Sequence, residues 1–203
     1  KPHGRTEPLI SRQMWLNIGA SGLLMFAVMM AVLYAPNAFG LKDRGDFEQA
    51  SREHVVAVAD DPDHRDFASF DDDEDGVLSA GEQDEAVEDE MTRRRDIYRD
   101  SFLFNTFVWL QVFNAFNARS IRADRTPFAN LRNSTSFLAI IALIAVSQIV
   151  IMAIGGSVFS VTQISASAWG LSLLIGVCII PVGFGIRALG RALGTHRSTL
   201  HSA

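Results

Sequence analysis

Residues 136–155 read SFLAIIALIAVSQIVIMAIG, twenty positions without one Asp, Glu, Lys or Arg. At about 1.5 Å per residue such a helix is about 30 Å long, the thickness of a bilayer's hydrocarbon core. A helix in a soluble bundle keeps a polar face, whereas this one is apolar nearly all round, with Ser147 and Gln148 as its only strongly polar pair. Working outward, residues 14–34, 101–118 and 168–186 are equally free of charge. The expected fold is all-α: a polytopic membrane protein with four transmembrane helices at 14–34, 101–118, 136–155 and 168–186. A chain of 203 residues could otherwise hold one or two soluble domains. The placement of its charges excludes them. The first stretch is too long for a signal-peptide core, and no small-residue cleavage site follows it. The lone Cys178 allows no internal disulfide and reads as a packing residue.

Topology follows from the charged segments. Residues 35–100 carry 21 of the 23 acids and 8 of the 18 bases. The other bases fall in residues 1–13, 119–135 and 187–203, opposed only by Glu7 and Asp124. By the positive-inside rule these are a cytoplasmic link, a basic cytoplasmic loop and a cytoplasmic tail. The acidic loop 35–100 then faces the extracellular or lumenal side, as does a short outer turn at 156–167. The membrane is the plasma membrane or an internal one. The sequon at Asn133 falls on the cytoplasmic side and stays bare. Residue 1 is Lys, so a piece of a longer chain, or a processed product, is expected.

Within the second span, Asn105, Gln111, Asn114 and Asn117 place four amides in the membrane. Gln111, Asn114 and Asn117 recur every three residues and so drift slowly around one side of a helix. They serve either as hydrogen-bonding glue between helices or as part of an ion path. Glue is favoured, because neutral amides are weaker cation ligands than carboxylates. Pro181 is expected to kink the fourth span.

The most specific chemistry lies in the acidic loop. Residues 71–82, DDDEDGVLSAGE, match the twelve-residue EF-hand calcium loop. Asp71, Asp73 and Asp75 stand at positions 1, 3 and 5, and Gly76 at the sharp turn of position 6. Val77 offers its carbonyl at position 7, Ser79 acts through water at 9, and Glu82 closes the shell at 12. A merely solvated acidic run would not place a glycine, an aliphatic (Leu78) and a glutamate at these positions. Phe67 and Phe70, three apart, indicate an incoming helix, and Ala86, Val87 and Met91 an outgoing one, so an inserted helix-loop-helix is expected. One outward-facing loop without a partner implies weak binding of Ca2+, with Kd in the range of about 10⁻⁴–10⁻³ M. The histidines lack zinc spacing, and no catalytic triad, phosphate-cradling loop or nucleotide fingerprint occurs, so no catalytic residue is assigned and no nucleic-acid partner is expected.

Two stretches carry a resemblance. KPHGRTEPLISR at residues 1–12 and FNTFVWLQVFNAFNAR at residues 104–119 resemble the C-terminal membrane region of P-type calcium-transporting ATPases, plasma-membrane type. Residues 130–133 and the Gly155-Gly156 turn leading to Phe159 and Ser160 are similar to later segments of that family. The resemblance implies that the four spans are helices seven to ten of a pump. It implies that Gln111 stands where reticulum-type pumps carry a glutamate calcium ligand, a departure shared by the plasma-membrane type. Family members have a shorter loop between helices seven and eight, without an EF-hand. The phosphate-accepting aspartate, the nucleotide domain and the principal ion-binding helices are not in this stretch. ATP and Mg2+ would act only through an N-terminal remainder, in the same chain or a separate one. Two functions are therefore expected: the membrane domain of a calcium pump with an added EF-hand, or a free-standing four-span EF-hand sensor or buffer built on that scaffold.

Overall fold

The computed structural model describes residues 12–119 and 134–199. The link at 1–11, the basic loop at 120–133 with its sequon, and residues 200–203 lie outside the described residues. Among the described residues every regular element is helical.

Helix α1 spans Arg12–Tyr34 and stops before Pro36, which opens a 3-10 turn at Pro36–Phe39. A second 3-10 turn, Arg44–Phe47, is nucleated by a capping box. Asp43 accepts from the Arg44 N–H at 2.8 Å, and Asp46 accepts from the Asp43 N–H at 2.8 Å. It runs into α2, Glu48–Ala59, which ends ahead of Pro62, where the residue before a proline is driven out of helical geometry. The expected incoming helix is corrected here. Phe67 opens and Phe70 caps a three-residue 3-10 turn, Phe67–Ser69, whose three-residue repeat satisfies the same spacing.

Helix α3 runs unbroken from Ala80 to Arg119, 40 residues or about 60 Å. The helix has no break at residue 101, where the second span was expected to begin. Beyond Gly81 this stretch contains neither Gly nor Pro, so nothing interrupts the hydrogen-bond ladder, and its many Glu, Arg and Ala residues favour a helix. Helix α4 spans Thr135–Ile154, a single turn of helix (α5) covers Gly156–Phe159, and α6 spans Ala166–Thr199. Helix α6 continues through Pro181 and into the segment expected as a tail.

Among the described residues two helices, not four, are long and apolar enough by themselves to cross a membrane: Thr135–Ile154 and Ala166–Gly185. The apolar part of α1 is the shorter Ile18–Tyr34. The charge-free part of α3 is diluted by its four amides.

Helix α3 is the axis of the molecule. Its inner half packs along α6, with α1 and α4 beside the pair. Met25, Leu110 and Ile179 form the buried seam, and Val32, Leu41, Tyr98, Phe102, Met152, Ile164 and Ala168 close the outer end. Gly176 and Gly183 allow the close approach. A Cβ on Gly176 would lie 2.8 Å from the Phe113 ring, and one on Gly183 would lie 2.5 Å from the Asn117 amide. The outer half of α3 packs against α2 through Val55, Ala86 and Val87, with Val58, Phe67 and Leu78 beneath the acidic loop. Cys178 is exposed, facing a groove between α1 and α6, rather than packed.

Candidate metal centre

The acidic loop is closed by its own hydrogen bonds. Gly76 takes φ 80°, which a side chain would strain, and its N–H donates to Asp71 Oδ2 at 2.9 Å. Asp73 Oδ1 accepts from the Asp75 N–H at 3.2 Å, and Asp75 Oδ1 from the Val77 N–H at 2.8 Å. Glu82, in the first turn of α3, reaches back across the loop. Its two oxygens accept from the Asp72 N–H at 3.0 Å and the Ser79 N–H at 2.8 Å. Leu78 is buried, and its carbonyl accepts from Gln83 Nε2 at 2.8 Å, so the loop is closed on its own lobe.

One carboxylate oxygen each from Asp71, Asp73 and Glu82 lies within 4.8 Å of the others. Oxygens on opposite sides of a calcium ion, each about 2.3–2.6 Å from it, are separated by a similar span. Asp71 is only 8 % exposed, and its Oδ1 is buried without a hydrogen-bond partner. A buried carboxylate oxygen left unpaired is costly, and a cation in the cluster would satisfy it. For Asp73, the Asp75 N–H lowers the pKa, but desolvation and the Asp75, Glu82 and Asp71 carboxylates outweigh it and push the group above the usual aspartate value. Hydrogen bonds from Ser79 hold Glu82 below the usual glutamate value. The donor set is therefore all oxygen and anionic, which suits a hard divalent cation. Asp75, Val77 and Ser79 lie in the same loop, with the bonds given above, but are not part of the three-carboxylate cluster.

The four amides of α3 divide. Asn105 and Gln148 are buried and paired at 3.0 Å, and Asn117 Nδ2 donates to the Ile179 carbonyl at 2.8 Å. Thr106 and Ser172 add a third bond between helices, at 3.1 Å. These are glue. Gln111 is exposed, and its Nε2 only meets Met25 Sδ at 3.5 Å. Asn114 has no hydrogen bond among the described residues.

A cluster that the sequence reading missed lies farther along α3. Glu90 is 3 % exposed and accepts from Arg93 Nε and Nη2 and from Arg94 Nε, each at 2.7 Å. Burial pushes its carboxyl up, but the two guanidiniums more than offset this and hold it below the usual glutamate value. The signal was an acid followed three and four residues later by arginines.

The family model for the C-terminus of cation-transporting ATPases matches residues 1–189. The chain belongs to that family. This cation-ATPase C-terminal region is 38 % identical over 90 residues to Calcium-transporting ATPase 2 of Schizosaccharomyces pombe, covering 44 % of the chain and 7 % of the yeast protein. It is 26 % identical over 189 residues to Calcium-transporting ATPase PAT1 of Dictyostelium discoideum, covering 93 % of the chain and 13 % of that protein. It is 28 % identical over 177 residues to human Plasma membrane calcium-transporting ATPase 1, covering 87 % and 11 %. The chain thus spans about an eighth or less of these relatives' lengths. No solved structure matches it.

Proposed function

We propose that this chain is the C-terminal membrane domain of a P-type calcium-transporting ATPase and that its acidic loop binds one Ca2+ on the outward face. Family membership and the calcium-transporting relatives support the first part. The second part rests on Asp71, whose buried, unpartnered Oδ1 faces a three-carboxylate cluster in an EF-hand register. Asp71, Asp73 and Glu82 supply the charged ligands. Asp75, the Val77 carbonyl and Ser79 complete the shell when the loop tightens. Four spans are formed by α1, the inner half of α3, α4 and the apolar part of α6. In this arrangement the buried amides of α3 bond to neighbouring helices, as buried polar groups in lipid must. Residues 1–13, 119–135 and 187–203 face the cytoplasm, and 35–79 with the outer half of α3 face outward. ATP hydrolysis with Mg2+, and the transport site itself, belong to the remainder of the pump. Gln111 and Asn114, unengaged by other polar side chains, face that remainder.

The sensor or buffer reading draws on the continuity of α3. The helix that leaves the calcium loop is itself the second span, so occupancy at one end bears on the helix in the membrane. The test is calcium titration of the full chain by calorimetry, beside Asp71→Asn and Glu82→Gln. One saturable site, lost in Asp71→Asn, supports the proposal. Binding unchanged by both substitutions would overturn the assignment of the loop.

A further inference from the structure

We propose a second ligand site: the cleft between the Arg93–Arg94 pair and the outer turn binds the phosphate of a phospholipid headgroup. The inference rests on the four-span reading for its position, but its chemistry is local. The cleft has a volume of about 390 Å³ and is lined by Phe47, Arg93, Arg94, Ser160, Val161 and Thr162. Glu90 holds Arg93 through a two-bond fork and Arg94 through one bond from Nε, which leaves donors free on both. Arg93 Nη1 and both terminal nitrogens of Arg94 have no partner among the described residues. Free, oriented guanidinium N–H groups are the protein's strongest phosphate donors.

The location fits the ligand. The Thr162 N–H donates to Ser101 Oγ at 2.8 Å, which ties the outer turn to the first residue of α3's charge-free run. Arg94 stands about two helical turns outside that residue, within reach of the headgroup layer for a long side chain. Charge along the chain changes sign of balance at this level. Residues 60–89 hold fourteen acids and one base, whereas residues 90–100 hold four arginines and three acids. The acidic lobe would repel a phosphate; its Asp66 also acts on Arg93, but the collar keeps a surplus of one positive charge. Apolar walls from Phe47 and Val161 suit the glycerol and first methylenes of a lipid.

The experiment is native mass spectrometry of the full chain in detergent, titrated with phosphatidylglycerol and, separately, with diacylglycerol of the same chains. Binding in detergent does not depend on which side the loop faces, so failure of the site and failure of the topology are read apart. The proposal expects one phosphatidylglycerol retained where diacylglycerol is lost. It expects Glu90→Gln/Arg93→Gln/Arg94→Gln, which leaves no lone buried charge, to bind about ten-fold more weakly. Arg94→Lys, which keeps the charge but not the fork, falls between them and serves if the triple variant does not fold. Equal retention of the two lipids, or retention unchanged in these variants, would overturn it. Displacement of the lipid by millimolar inorganic phosphate supports the phosphate chemistry with a free anion as a second source; persistence of the lipid supports the headgroup as the source.

Discussion

At Gly76 the backbone sits at φ 80°, where an L side chain costs about 1–2 kcal/mol. Gly76→Ala should therefore weaken calcium binding by about 5–30-fold, while the melting of the rest of the molecule changes little. Calorimetry on the intact variant checks this. Glu90 answers to a different force. Its pKa is lowered by the two arginines although burial acts the other way, so its contribution to stability is present above the ordinary glutamate value of 4.5 and is lost as pH falls through its lower folded value. Glu90→Gln should cost about 1–3 kcal/mol at neutral pH, less than a fully buried pair because Arg93 is largely exposed. The difference between wild-type and variant melts should narrow as pH falls below 4.5 and close once it has passed the lower folded value of Glu90. The spacing of Asp71, Asp73 and Glu82 was legible because each loop position has its own geometric demand. Glu90 was not, since an acid inside a charged run reads as solvated until tertiary packing buries it.

Helix α3 shows where element boundaries escape a reading by charge. The transition from charged to uncharged at residue 101 marks a change of surroundings, not a change of backbone. Hydrogen exchange should show unbroken protection from about residue 84 through the inner half, with no exchanging hinge near residue 101. Fast exchange confined to residues 95–101 would contradict a continuous helix. The seam with α6 depends on small residues. Gly176→Ala and Gly183→Ala, which would crowd Phe113 and Asn117, should each cost about 1–3 kcal/mol, read as a lowered melting temperature in nanodiscs. Gly170, with open space around its Cβ, should tolerate alanine. The 3-10 turn at Phe67–Ser69 was unreadable for a simpler reason: a spacing of three fits both kinds of helix.

The whole molecule joins an acidic lobe to a helical membrane region through one shared helix. The membrane character was legible from charge-free length, and the family from two motifs, one at residues 1–12 and one in the inner half of α3. The number of helices apolar enough to span alone was overcounted. Charge-free is not the same as apolar, and α3 carries amides that lipid would not accept without partners on α4 and α6. The lobe is what sets this chain apart from the pattern of the resemblance. The proposed calcium site of this lobe is therefore the point to test. The most direct measurement is calcium binding to the intact chain in sided proteoliposomes, with the ion added to the face that carries the acidic loop. The account predicts one saturable site with a Kd of about 10⁻⁴–10⁻³ M, absent in Asp71→Asn. No saturable binding at millimolar calcium, or identical binding in that variant, would contradict it.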